Sequence, residues 1–331
     1  MMSMKYRDLP LKKLGFFPTP IVELDRLSTH LGGPRILMKR DDHTGLAFGG
    51  NKTRKLEFLV AEALDQGADV LITGGAAQSN HCRQTVAAAA ACGLLCHLVL
   101  GGEAPSSPNG NLLLDMLLGA EFHWTGVFRK GEKIPEIAEK LQQDGHNPYV
   151  VPYGGSNSTG AVGFAKAVEE MSLQLDEMGE NVSHVVFASS SGGTQAGLAV
   201  GKALCEETFD LVGIQIDKGE AGGVPYNEHL ATLADETARR LGMDSAFHDS
   251  EFIIRDEFLG EGYGVVGDGE RRAIELVARY EGILLDPVYT GRAMAGLIHM
   301  IEHGEFEKDA VVLFWHTGGS PALFSYAGEL V

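Results

Sequence analysis

One local pattern constrains this chain more than any other. An apolar run of strand-forming residues passes into a loop of small residues and then into a helical stretch. It recurs at "VLITGGAAQSN" (70–80), "YVVPYGGSNSTG" (149–160), "VVFASSSGGTQAG" (185–197) and "VVLFWHTGGSP" (311–321). The apolar runs are nearly continuous rather than alternating, as in strands buried on both faces of a parallel sheet. Further strands are predicted at 36–39, 96–100, 211–216 and 252–255, and helices at 51–66, 80–92, 110–118, 134–144, 161–178, 194–205, 228–241, 270–280 and 292–303. Strand and helix alternate along the whole chain, so the fold class is α/β with parallel sheets flanked by helices. At 331 residues the chain is long for one core and comfortable for two.

Glycine-rich loops beyond strand ends are where ligands bind in such folds. Glycine lets the backbone approach closely, and the following helix offers unpaired N–H groups to an anion. Each loop alone reads equally as a tight turn. The charge balance narrows the ligand: 27 basic against 45 acidic side chains give a formal charge of −18, which argues against nucleic acid or an anionic membrane surface as partner. The opening "MMSMKYRDLPLKKLG" has no long apolar run, and Cys82, Cys92, Cys96 and Cys205 are too few for a disulfide scaffold. The expected setting is a reduced, cytoplasmic one.

Lys52 sits in "FGGNKTRKLEF" (48–58), where a glycine loop opens a helix. The phosphate loop G-x-x-x-x-G-K-[ST] fits poorly, because Gly45 and Gly50 are followed by Asn51 and the lysine arrives one place late. A solvated lysine remains open. Yet Lys52, Arg54 and Lys55 crowd a first turn whose dipole disfavours cations, which invites a functional reading. Lysine forms Schiff bases when desolvation or a cationic neighbour lowers its pKa, and Lys55 is one turn away. "SSSGGTQAG" (189–197) has the composition of a phosphate cup, with Gly192 and Gly193 adjacent rather than in the dinucleotide spacing. In "QSNH" (78–81), Ser79 or Asn80 is either a helix cap or a contact to cofactor or substrate carboxylate, and His81 either a site contact or a half-buried histidine. "HMIEH" (299–303) matches H-x-x-E-H, so a metallohydrolase using His299, Glu302 and His303 is the rival reading; only 28 residues follow for a third ligand, and no metal is expected.

With these pieces assembled, the chain resembles the pyridoxal-phosphate enzymes of the tryptophan-synthase β fold type (fold type II). Within them it resembles the group holding D-cysteine desulfhydrase, 1-aminocyclopropane-1-carboxylate deaminase and L-cysteate sulfo-lyase. The motifs that carry this are "KRDDHTGLAFGGNKTRKLEFL", "QSNHCRQT", "SSSGGTQAGLAVG", "GEGYGV", "EGILLDPVYTGRAMAGLI" and "HTGG", in the family order over almost the whole chain. The resemblance implies that pyridoxal 5'-phosphate binds covalently to Lys52. Lys55, Ser191, Gly192, Gly193 and Thr194 would hold its phosphate, and Asn80 would bond its phenolic oxygen. Ser79 and His81 would meet the substrate carboxylate, with Tyr263 and Tyr289 facing the substrate and Ser79 or Tyr289 a candidate acid or base. Thr290 and Thr317 stand where the cyclopropane deaminases carry glutamate and leucine. The resemblance puts Thr290 beside the pyridine nitrogen, where its hydroxyl makes a milder electron sink than a carboxylate, which suits β-elimination.

The resemblance therefore implies a carbon–sulfur lyase converting D-cysteine to pyruvate, ammonia and hydrogen sulfide. L-cysteate sulfo-lyase and then the cyclopropane deaminase are the alternatives, and a silent pyridoxal-phosphate-binding protein the reading from another class. It further implies a smaller α/β domain at 55–155, a larger one from 1–54 and 156–331 with the cofactor between them, a small amino-acid substrate and a homodimer.

Overall fold

Buried apolar strands need cover on both faces, and the chain supplies it twice. The computed structural model describes residues 5–128, 130–217, 220–221 and 223–331. The first four residues of the opening stretch read above lie outside that range. The strands in chain order are β1 (Ile21–Glu23), β2 (Arg35–Arg40), β3 (Val70–Gly75), β4 (Leu95–Leu100), β5 (Glu121–Trp124), β6 (Pro148–Val150), β7 (His184–Ser189), β8 (Asp210–Gln215), β9 (Glu220–Ala221), β10 (Val224–Pro225), β11 (Ile253–Arg255) and β12 (Val311–His316). The helices are α1 (Asp25–Leu31), α2 (Lys52–Asp65), α3 (Asn80–Cys92), α4 (Gly110–Leu117), α5 (Ile134–Gln143), α6 (Ser158–Met178), α7 (Gly193–Cys205), α8 (Tyr226–Arg240), α9 (Asp268–Glu281), α10 (Thr290–Glu302) and α11 (Ala327–Leu330).

The larger sheet has the order β1-β2-β12-β7-β8-β11 and is parallel throughout except for β1, which runs antiparallel to β2. The smaller sheet, β5-β4-β3-β6, is wholly parallel. On one face of the larger sheet, Ile36, Val212 and Phe314 pack with Leu27 of α1, Val277 of α9 and Leu297 of α10. On the other, Val185, Phe187 and Trp315 pack with Phe164 of α6 and Leu198 of α7. In the smaller sheet Leu71 and Leu98 meet Leu56 and Leu59 of α2 and Val86 of α3, while Val70, Ile72 and Val99 meet Ile134 and Leu141 of α5. The span 55–155 contains all four strands of the smaller sheet together with α3, α4 and α5. Helix α2 begins just before that span and packs against α3 on one side and α6 on the other.

The predicted strands and long helices are present with end shifts of a few residues. Helix α6 starts at Ser158 rather than 161 because Asn157 caps it, its Oδ1 accepting from Gly160 N at 2.9 Å. The elements not predicted are short or poorly buried. Strand β1 has three residues, α1 has seven, and β5 ("EFHW") buries none of its side chains fully. None of these offers a period to read. Among the described residues no helix is long and apolar enough to cross a membrane.

Candidate active site

The small-residue loops converge with the start of α2 on one cleft. Asn51 and Lys52, Asn80 and His81, the loop from Ala188 to Gly192 with Thr194, Tyr289 and Thr317 line it. Asn51 ties three of these segments together: its backbone N–H donates to Thr317 O at 3.0 Å, and its Nδ2 to Thr194 Oγ1 at 3.3 Å. This residue carried no role in the sequence reading.

The first turn of α2 sorts its three cations. Arg54 turns away from the cleft into a buried cluster, its guanidinium donating to Asp41 at 2.8 Å and to Glu170 at 2.9 Å. Only Lys52 and Lys55 remain for a ligand. Lys52 lines the cleft, and burial pulls its pKa down to about 8, against a hydrogen bond with Lys55 that favours its charge. Lys55 is fully buried and held well below the usual lysine range by burial and by the charge of Lys52. Its Nζ donates to two neutral oxygens, Gly154 O and Ser156 Oγ, both at 3.1 Å.

Those oxygens belong to a cup at the start of α7. The helix opens at Gly192 (φ 87°) with no side-chain cap, so its first N–H groups face outward. Gly193 N donates to Ser156 Oγ at 3.1 Å, and Ser156 Oγ lies 2.8 Å from Ser191 Oγ. A Cβ at Gly193 would fall 2.6 Å from Ser156 Oγ and 2.9 Å from Lys55 Nζ, so the backbone there is open because it is glycine. Backbone N–H groups, hydroxyls and one buried ammonium without a carboxylate bonded to it are the donor set a phosphate requires. Ser156 was missed in the sequence, although its loop "YGGSNSTG" was one of the four recurring ones.

Helix α3 supplies the opposite wall. Ser79 is its N-cap, with Oγ accepting from Cys82 N at 3.2 Å, so the cap role is real and leaves the hydroxyl proton free to be donated. The first-turn N–H groups of Asn80 and His81 have no intrahelical partner. The His81 ring is neutral and its tautomer follows from its neighbours. Thr73 Oγ1 donates its one proton to Val151 O at 2.9 Å, so it must accept from His81 Nε2–H, also at 2.9 Å. That leaves Nδ1 a lone-pair acceptor, and it makes no hydrogen bond among the described residues. Burial, with Lys52 and Lys55 nearby, keeps the ring well below the usual imidazole pKa.

The remaining candidates divide. Tyr289 lines the cleft and its hydroxyl lies 2.8 Å from that of Tyr263, which stands behind it. Burial raises both phenols well above their ordinary pKa. Thr317 lines the cleft, whereas Thr290 is not among the lining residues. The Thr290 hydroxyl accepts from Asp286 N at 2.7 Å and donates to Asp286 Oδ1 at 2.8 Å, closing the start of α10. A hydroxyl committed twice within the chain has no proton left for a ligand, and of the two threonines only Thr317 lines the cleft. The H-x-x-E-H stretch lies at the other end of α10. His299 and His303 stack there with centroids 3.9 Å apart, and the Glu302 carboxylate is held by Arg272 at 2.5 Å. Among the described residues no group of three or more His, Cys, Asp or Glu is placed to hold a metal.

Comparison with known proteins places the whole chain among relatives. Residues 12–318 match the family described as "Pyridoxal-phosphate dependent enzyme". The chain is 43% identical over 319 residues to a D-cysteine desulfhydrase of Klebsiella pneumoniae (strain 342), covering 95% of each protein. Among solved structures it superposes on an "ACC deaminase homologue" with a TM-score of 0.89 at 36% identity, covering 100% of this chain and 99% of that one. Escherichia coli diaminopropionate ammonia lyase shares the fold, with a TM-score of 0.67 at 19% identity over 96% of this chain and 87% of that one.

Proposed function

The chain belongs to the pyridoxal-phosphate dependent enzyme family, and from that premise we propose that it is a carbon–sulfur lyase that eliminates sulfide from D-cysteine, leaving pyruvate and ammonia. The single observation that carries this reading is the near full-length identity of 43% to a D-cysteine desulfhydrase, set on a cleft whose donors fit the cofactor. Bound to Lys52, pyridoxal 5'-phosphate supplies an electron sink that makes the substrate's Cα–H acidic. Lys55, Ser156, Ser191, Gly192, Gly193 and Thr194 would hold its phosphate, Asn80 its phenolic oxygen, and Thr317 would offer a neutral hydroxyl toward its ring nitrogen.

The rest follows from the side chains. Lys52 is an amine lowered to about 8, so near neutral pH it can both form the covalent bond and carry a proton. Tyr263 and Tyr289 stay protonated because burial raises them, which makes Tyr289, backed by Tyr263, a donor toward a leaving group rather than a base. That favours Lys52 over Tyr289 as the group that takes the Cα proton, with Ser79 the other candidate. The substrate carboxylate would lie against the first-turn N–H groups of α3 and the Ser79 hydroxyl. The His81 ring offers a lone pair and would repel a carboxylate, so its contribution there is its main-chain N–H.

The substrate would be a small amino acid, and a cytoplasmic homodimer is the form we infer. The exposed Leu113, Met116 and Leu117 of α4, beside the segment carrying exposed Phe324, support a second copy as partner. Light scattering that returns the monomer mass at micromolar concentration overturns that point.

The test is a substrate panel on purified holoenzyme. Sulfide and pyruvate from D-cysteine, with little from L-cysteine, is the expected result. Sulfite from L-cysteate, or 2-oxobutyrate from the cyclopropane acid, without sulfide from D-cysteine, replaces the reading. The absence of product from every substrate leaves a silent binder. Borohydride should bleach the visible band and leave the reduced cofactor bound to the protein, and Lys52→Ala should abolish that fixation.

A further inference from the structure

The side-chain amide of Asn80 has a fixed polarity, and its cause lies outside the cleft. Asn111, on the first turn of α4, is fully buried. Its Nδ2 donates to the Gln78 carbonyl at 2.9 Å and to Asn80 Oδ1 at 2.8 Å, and its Oδ1 accepts from Arg83 Nε at 2.7 Å. Both ends of this chain of bonds are unambiguous. A guanidinium only donates and a backbone carbonyl only accepts, so neither amide can be turned around. Asn80 therefore gives its oxygen to Asn111 and keeps its Nδ2 for the cleft, on the side of Gly319. Arg83 is itself immobilised. It is fully buried, and its Nη groups donate to the carbonyls of Ala47 and Gly49 in the loop ahead of Lys52.

We propose that Asn111, anchored by Arg83, is a positioning residue that makes Asn80 a hydrogen-bond donor toward the cofactor's phenolic oxygen. This rests on the reading above that Asn80 meets that oxygen. Without Asn111, Asn80 is free to turn and present an acceptor to a group that carries negative charge, which repels it. The same Arg83 links the loop that places Lys52 to the helix that places Asn80, so the two contacts with the cofactor share one support.

The test uses Asn111→Asp, which keeps size but replaces the donor by an acceptor. Asn80 should then turn its Nδ2 to the introduced carboxylate and its oxygen to the cleft. Two readouts besides turnover report this: the pH midpoint of the holoenzyme's visible absorption band, and the affinity of apoenzyme for pyridoxal phosphate by fluorescence titration. Asn80→Ala should move the midpoint by about one unit, a tenfold change in the protonation constant, and weaken affinity about tenfold. Asn111→Asp should move both in the same direction by at least as much. In an Asn80→Ala background it should add less than twofold, because it acts through Asn80. Asn111→Ser, which removes the amide without adding charge, should give a smaller shift of the same sign if Asn111→Asp does not fold. An unchanged midpoint in the Asn111 variants, or an equal effect with and without Asn80, overturns the positioning role. An unchanged midpoint in Asn80→Ala overturns the assignment of Asn80 itself, and the positioning role with it.

Discussion

Lys52 lines the cleft beside the buried Lys55, and the charge of each amine disfavours or supports that of the other. Burial lowers the Lys52 pKa to about 8. An amine attacks a carbonyl only when neutral, so the rate at which apoenzyme captures pyridoxal phosphate should rise with pH and level off above a midpoint near 8. A flat profile from pH 6.5 to 9.5 by stopped-flow absorbance refutes this. Arg54, two residues on, serves stability rather than the cleft. Burial pushes the Glu170 carboxyl up, but Arg54 and Lys39 overrule it and hold it down at about 2. A carboxylate depressed below its ordinary 4.5 stabilises the fold fully above that value and loses the contribution as pH falls toward 2. Glu170→Gln should therefore cost about 2–3 kcal/mol at pH 7, since Lys39 loses the carboxylate it is paired with and Arg54 keeps only Asp41. The deficit should shrink below pH 4.5, and a deficit independent of pH would refute the charge argument. Chemical denaturation across pH measures both.

At the scale of elements, the site is a set of helix starts. Helices α2, α3 and α7 all open onto the cleft, and none of these openings has its N–H groups fully capped by side chains. The tightest is that of α7. Gly193→Ala places a methyl 2.6 Å from Ser156 Oγ and 2.9 Å from Lys55 Nζ, within a helix that otherwise tolerates alanine well. The same methyl would fall 2.9 Å from the Ser156 Cα, which is backbone and cannot swing aside, so the expected outcome is a lower thermal midpoint for the apoenzyme and at least tenfold weaker cofactor binding. Unchanged binding in the titration would show that this turn is not the phosphate cup.

Across the whole molecule, cofactor capture should act as stabilisation. At a hundredfold excess over its dissociation constant a ligand adds about 2.7 kcal/mol to unfolding. Calorimetry of apoenzyme and holoenzyme should separate by several degrees, and Lys55→Met should lose most of that separation. How much of this arrangement was legible in the sequence follows from period and range. Continuous apolar strands such as Val70–Gly75 and the four small-residue loops announce themselves locally, because each is written in adjacent residues. What is written across distance is not legible. Ser156 meets Gly193, Asn111 meets Asn80 31 residues away, and Thr290 turns back on Asp286. The side that a side chain takes depends on packing that no motif records. Thr290 and Thr317 therefore look equivalent in the sequence and are not equivalent in the fold.

The cup that gathers Lys55, Ser156 and Gly193 has one more consequence. Ser156 follows the last strand of the smaller sheet, and Gly193 follows a central strand of the larger one. On the proposed reading of the cup, neither half alone would hold a phosphate. A nascent chain in which each sheet has formed but the two have not yet docked would be blind to the cofactor, however much is present. Uptake of the coloured cofactor during refolding would then act as a clock for the last assembly step, and lag behind the signal that reports sheet formation.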